Sequence, residues 1–300
     1  MSQKKNNANW KTQDARLTAM GKNIADEINA CKERYQGELD NMNWNKVGRP
    51  FKLSDTMVYL AAVLTSFFPY RQLAGFLESL LGIHVHYTAI QKRVKNVLKT
   101  WKRKEVKGGI LFYLDNLLPG NYFIDSTGMS TRKKGDWRTI KFQLKKTKKW
   151  YKFHTLCNEK GVIVAFALTE SDIGDSELAE DFMNVLPEGS TLYGDKGYCS
   201  RKNFNIASAR KITFHSPPKC NATTRSKGSP GYRKEVKLLK ELGYDQWKVV
   251  TGYKARFNKE FVYSRIKALF GEETRAETLT GVAVAMLVRV TMCNSVLQGR

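Results

Sequence analysis

The first hundred residues carry apolar positions at helical spacing. From Met57 to Phe68 the chain is almost wholly apolar; Ser54-Asp55 before it suits a helix cap, and Pro69 after it ends the run. A second amphipathic helix is predicted from Arg71 to Leu81, stopped by Gly82. A third runs from near Tyr87-Thr88 to about Lys104, with Ile90, Val94, Leu98 and Trp101 on one face and Lys92, Arg93, Lys95, Lys99, Lys102 and Arg103 on the others. Residues 1–50 are polar, and Gly48-Arg49-Pro50 interrupts any helix before it, so this stretch reads as an arm or linker. Beyond residue 121 the period becomes that of strands. Tyr122–Asp125, Trp150–Cys157 and Gly161–Thr169 read as strands, the last two joined by a tight turn at Asn158-Glu159-Lys160-Gly161. A helix capped by Asp175-Ser176-Glu177 and ending at Leu186 comes next, then a strand at Thr191–Gly194, a helix at Arg201–Arg210 and a strand at Ile212–His215. Helices at Lys254–Phe270 and Leu279–Leu297 close the pattern.

The order β-β-β-α-β-α-β-α predicts a mixed α/β fold of the ribonuclease H-like arrangement, with helices on both faces of a mixed sheet. Three units follow: a polar arm over 1–50, a helical region over 51–110 and an α/β domain over 111–300. Three short helices with a basic last one have the outline of a helix-turn-helix, whose recognition helix enters the major groove. A helical subdomain with a solvated lysine face has the same outline, and both readings stand.

Charge sharpens the picture. Lys and Arg number 51 against 28 Asp and Glu, a net charge of +23, which points to a polyanionic partner. The positive charge is spread along the whole chain, which favours nucleic acid over a membrane surface. It is densest over 132–152, where ten Lys or Arg, Lys145, Lys146, Lys148 and Lys149 among them, meet one acid and interleave with Trp137, Phe142, Trp150 and Tyr151. Such a mixture suits a nucleic-acid track in which cations meet phosphates and rings stack on bases; a solvated hairpin is the alternative. The start, MSQKKNNANW, lacks the apolar core of a secretory signal, and the longest apolar run near it is too short to span a bilayer. Five scattered cysteines without a C-x-x-C pair predict a reducing compartment and no structural zinc.

Two aspartates end apolar strands: Asp125 in YFIDSTG and Asp195 in LYGDKGY. Carboxylates at the carboxyl edge of a sheet stand where sites are usually built. A third acid, Glu260, falls on a predicted helix. At about 100° per residue, Tyr253, Arg256, Glu260 and Lys267 share an arc of about 60°, while Val262, Ile266 and Leu269 lie opposite. Clustered carboxylates repel unless cations sit between them, and hard oxygen donors select Mg²⁺ or Mn²⁺. Among other acids, Asp115 follows an apolar run but precedes a predicted helix or helix end, and Asp175 reads as a cap. Trp247 lies in a predicted loop, where it could pack in the core or stack on an extruded base.

The spacing Tyr-x2-Arg-x3-Glu-x6-Lys, together with IDST and GDKGY, resembles the bacterial and archaeal insertion-sequence transposases of the DDE class, over about residues 48–297. The resemblance implies that Asp125, Asp195 and Glu260 are catalytic and hold two Mg²⁺ or Mn²⁺ ions. It implies that Tyr253, Arg256 and Lys267 position DNA phosphates; Lys92 and Arg93 of the basic helix and Lys145, Lys146, Lys148 and Lys149 of the charge-dense stretch are further expected DNA contacts, read from charge alone. Double-stranded DNA, as element ends and target, is the implied partner; the chain would act in the cytoplasm as a homodimer or larger assembly, with no membrane involved. His154 and Asp172 look like family positions without a catalytic role. Two rival readings are a transposase-derived DNA-binding protein without turnover and another metal-dependent nuclease of the same fold.

Overall fold

Residues 35–82, 84–97, 101–131, 149–225, 227–259, 261–276 and 278–298, with a few positions between 15 and 29, are described by a computed structural model. The chain divides into two units, Met1–Lys99 and Thr100–Arg300.

In the first unit, α1 (Asp55–Leu64) begins where the sequence places it, because the Ser54 side chain accepts from the Met57 N–H at 3.2 Å. Pro69 does not end this helix directly. It opens α2 (Tyr70–Leu81), which closes on Gly82 in the left-handed conformation. The third helix, α3 (Tyr87–Val97), buries Ile90 and Val94. The segment expected as a polar arm contains a helix over 35–43. Its side chains reach the chain ahead of α1: Tyr35 donates to the Lys52 carbonyl at 2.8 Å, and Asn43 exchanges hydrogen bonds with the Phe51 backbone at 2.7 and 3.0 Å.

The second unit holds a mixed sheet. Its strands are β1 (Lys102–Val106), β2 (Gly109–Tyr113), β3 (Asn121–Thr131), β4 (Trp150–Asn158), β5 (Ile163–Glu170), β6 (Thr191–Tyr193), β7 (Thr213–His215) and β8 (Glu273–Thr274). The spatial order is β1-β2-β5-β4-β3-β6-β7, with β8 beside the far end of β3. An antiparallel meander of β3, β4 and β5 is followed by β6 and β7, both parallel to β3, which is the ribonuclease H-like arrangement. The β4–β5 turn forms where expected because the Asn158 side chain accepts from the N–H groups of Lys160 and Val162, each at 3.0 Å.

Helices α4 (Asp175–Val185) and α5 (Arg201–Ala209) link β5, β6 and β7. One face of the sheet, through Tyr122, Ile124, Leu156 and Leu192, packs with Leu178 and Phe182 of α4 and Phe204 of α5. The other face presents Phe123 and Tyr193, stacked 5.2 Å apart, to Trp247 and Tyr253. Those two residues belong to α6 (Pro230–Val250) and to a 3₁₀ helix over Tyr253–Lys259. The chain then forms α7 (Phe261–Phe270) and α8 (Leu279–Gln298). Asn294 of α8 accepts from the Ile163 N–H at 2.9 Å and donates to its carbonyl at 2.7 Å, which ties the last helix to the start of β5.

Three elements differ from the sequence expectation. Residues 102–106 are not the end of a basic helix; with β2 they form a hairpin on the β5 edge, and Trp101 packs edge-on against Phe166. The expected loop before residue 253 is the helix α6, kinked where Gly243 takes φ 71°. The expected continuous helix Lys254–Phe270 is a 3₁₀ turn followed by α7. No helix among the described residues is long and apolar enough to cross a membrane.

Candidate active site

Parallel pairing sets the site. Phe123 and Tyr193 are partners in the β3–β6 register, so Asp125 and Asp195, each two positions further on, follow on the same face; Asp125 does not end its strand as expected but lies inside β3, which pairs with β4 as far as Ser130, whereas Asp195 stands just past the end of β6. Asp195 keeps an extended backbone, and its carboxylate accepts from the Gly197 N–H at 2.8 Å, capping the short 3₁₀ turn Lys196–Tyr198. Its backbone carbonyl accepts from Ser216 Oγ at 2.6 Å. Asp125 Oδ1 accepts from the Ser126 N–H at 3.0 Å. The two carboxylates act on common neighbours: burial pushes the Tyr198 hydroxyl far above its ordinary pKa, and Asp175, Asp125 and Asp195 push it further.

Arg256 is brought to the site by the 3₁₀ helix. Its Nη2 donates to Asp125 Oδ1 at 3.1 Å, with the side chain only 14% exposed. Tyr253, three residues earlier and thus on the same face of a 3₁₀ turn, is buried, and its hydroxyl donates to the Gly194 carbonyl at 3.2 Å. Burial raises that hydroxyl's pKa. In this arrangement Tyr253 holds the end of β6 and is not exposed to a DNA phosphate. Helix α7 buries Val262 and Ile266, as the sequence predicts, and accepts Thr155 Oγ1 on Tyr263 at 2.8 Å. Because the helix is broken, the expected four-residue stripe is not continuous. Lys267 ion-pairs with Glu272 at 3.0 Å, and Glu260 lies outside the described residues.

Carboxylate oxygens on two neighbouring strands are the hard donors that Mg²⁺ or Mn²⁺ takes. Among the described residues no three of His, Cys, Asp and Glu gather as a metal site. Asp125 and Asp195 are of that donor type, and Glu260 lies outside the described residues.

The opposite face of the same strand carries a group that the sequence reading divided up. Ser126 Oγ donates to Asp175 Oδ1 at 2.9 Å, and Lys152 Nζ lies 3.1 Å from the same oxygen. His154, wholly buried, bonds Thr169 through Nε2 at 3.2 Å and turns Nδ1 toward Asp175 at 3.8 Å. Asp175 is not the cap of α4. Glu177 accepts from the Gly174 N–H at 3.1 Å and fills that role.

Other expected residues are dispersed. Arg93 donates to Asp55 at 2.6 Å and to the Leu53 carbonyl at 3.1 Å and stacks over Phe51, so its charge serves the first unit's own fold. Lys92 and Lys149 are exposed. Lys145, Lys146 and Lys148 lie outside the described residues. Asp115 is paired with Lys102 at 2.6 Å, away from both aspartates in sequence and strand, and Asp172 is exposed in a turn. Trp247 is buried and donates to Glu235 at 3.2 Å, so it packs in the core and is not available for stacking on a base.

A family model described as a transposase DDE domain matches residues 119–295, the segment from β3 to α8. Among solved structures, the chain is similar to one from a simian T-cell lymphotropic virus intasome in complex with PP2A regulatory subunit B56 gamma, at 13% identity and TM-score 0.22. That alignment covers 61% of this chain and 66% of the other, so the chain spans just under two thirds of that relative's length. It is also similar to a chain of a pre-cleavage Mos1 transpososome, at 10% identity and TM-score 0.24, covering 84% of this chain and 80% of that one.

Proposed function

We propose, from the premise that this chain belongs to the transposase DDE domain family, that it binds the ends of a DNA element and catalyses their cleavage and transfer to a target. One observation carries the reading: Asp125 and Asp195 follow the paired residues of adjacent parallel strands on one face, with Arg256 against Asp125, inside the segment the family model matches. Asp125, Asp195 and Glu260 would hold divalent cations, two in number and Mg²⁺ or Mn²⁺ by donor type. When bound, such ions activate an attacking oxygen and stabilise a leaving one in an in-line phosphoryl displacement.

The chain's own residues supply the rest. Water attacks an element-end phosphodiester, and the freed 3′-hydroxyl then attacks target DNA, so no covalent protein intermediate is required. Arg256, held on Asp125 without DNA, is placed to turn its guanidinium to a phosphate beside the reacting one, where a planar fork binds best. Tyr253 sets the position of Gly194 and hence of Asp195. Lys267 and the lysines at 145, 146, 148 and 149 in the second unit, and Lys92 in the first, are further contacts for the DNA backbone, while Arg93 holds α3 to the first unit's own fold. A dimer or larger assembly would pair the two ends, in the cytoplasm.

The test uses Mg²⁺ and a duplex carrying the DNA that flanks the gene. Nicked and joined products are expected with the native chain, and none with Asp125→Ala, Asp195→Ala or Glu260→Ala, each of which should still shift the duplex in a gel. Shifts without any cleavage by the native chain would mark a DNA-binding protein without turnover. Full cleavage by any one of the three variants would remove that residue from the assignment.

A further inference from the structure

We propose that Asp175 is a positioning residue for both site aspartates, an inference that rests on the functional reading above. Its two carboxylate oxygens face the supports of the two different acids. Oδ1 takes the hydroxyl of Ser126, whose own N–H is donated to Asp125 Oδ1. Oδ2 faces the turn on which Asp195 stands. A Cβ placed on Gly197 would lie 3.5 Å from Asp175 Oδ2 and 3.0 Å from Asp195 Oδ1, so the two carboxylates flank one glycine, and a side chain there would press on Asp195. Gly197 also gives its N–H to Asp195.

Asp175 is itself held. Lys152 Nζ lies 3.1 Å from Oδ1 and donates to the Ile173 carbonyl at 2.9 Å, bracing the chain just before α4. The Nδ1 of wholly buried His154 has no hydrogen-bond partner among the described residues and points at the same carboxylate oxygen from 3.8 Å. Asp175 therefore links β3, β4, the start of α4 and the turn after β6, and these elements together place Asp125 and Asp195. Groups that orient metal-holding carboxylates in this way commonly change metal affinity by about tenfold or more when removed.

Binding of Mn²⁺ to the full chain, read from the loss of the free-ion paramagnetic resonance signal, tests this apart from DNA cleavage. Asp175→Ala should weaken Mn²⁺ binding about tenfold while the gel shift with duplex DNA persists. Asp175→Asn keeps an acceptor for Ser126 and should recover most of the affinity. Ser126→Ala should weaken binding, and adding it to Asp175→Ala should cause no further loss, because both changes break one contact. Should Asp175→Ala not fold, Ser126→Ala and Asp175→Asn carry the test. Folded Asp175→Ala or Ser126→Ala binding Mn²⁺ as tightly as the native chain, while Asp125→Ala does not, would overturn this inference alone; so would additive losses in the double variant. A native chain that takes up no more Mn²⁺ than Asp125→Ala would instead overturn the functional reading and this inference with it.

Discussion

His154 shows what burial does to a single titratable ring. Its pKa is pushed down from 6.5 to about 4, chiefly by burial; Asp175 opposes the shift and Lys152 adds to it. The unfolded chain therefore takes up a proton as pH falls through 6.5, while the folded chain does not until about pH 4. Stability declines with falling pH across that window, by about 3 kcal/mol at most, and this group contributes no further loss below it. Calorimetry from pH 7 to 4 should show a shallower decline for His154→Gln than for the native chain; equal slopes would contradict the assignment. Arg256 makes a prediction of opposite sign for two observables. Its guanidinium holds one oxygen of Asp125, so Arg256→Gln removes a cation that competes with metal and also a partner for phosphate. Mn²⁺ binding should tighten while DNA cleavage falls about tenfold or more; weakened Mn²⁺ binding would show that Arg256 assists the metal.

Among the elements, α8 controls the end of α7 through one buried arginine. Arg289 donates to the Gly271 carbonyl at 3.2 Å and to that of Glu273 at 2.7 Å, where the chain leaves α7 and enters β8 beside β3. Burial lowers its pKa to about 10, still high enough to keep the charge at neutral pH. Arg289→Met should cost on the order of 3 kcal/mol by removing the donor that both carbonyls share, a fall of about 5 °C in Tm for a chain this size; a change within a degree would show the carbonyls are satisfied otherwise. The start of β3 and most of β4 and β5 were legible as apolar runs, with Asn158 marking a turn, and their order already specified the fold class; the second half of β3, through Ser126, Thr127 and Gly128, was not, because it is polar and is a strand only by its pairing with β4. The hairpin was not: Lys102–Val106 reads KRKEV, as charged as the helix before it, and becomes a strand only because β2 offers an edge. Helix α6 was hidden by Pro230-Gly231 at its start and Gly243 within it. The break between the 3₁₀ turn and α7 has no glycine or proline to mark it, which is why the site's Arg256 was found on a helical stripe that the chain does not form. Both site aspartates were legible because each follows an apolar run, although Asp125 lies inside β3 and not at its end; Asp175 was not, because its partners Ser126, Lys152 and Gly197 come from three other segments.

At the scale of the molecule, a net charge of +23 makes binding to any duplex a salt-dependent process. Folding, however, divides the cations into two populations. Some are used internally: Arg93 with Asp55 and Leu53, Arg256 with Asp125, and Arg289 with the end of α7. Others, such as Lys92 on α3 and Lys149 ahead of β4, are exposed. Only the second population releases counterions from DNA without a cost in protein structure. The logarithm of affinity for a random duplex should thus fall linearly with the logarithm of salt concentration, and Lys149→Gln and Lys92→Gln should each reduce that slope by about one. Arg93→Gln should leave the slope unchanged and lower Tm, since the charge it removes is engaged by Asp55 and by the ring of Phe51. If Arg93→Gln flattens the slope as the lysine changes do, then Arg93 leaves Asp55 on binding, and the first unit must rearrange when it meets DNA.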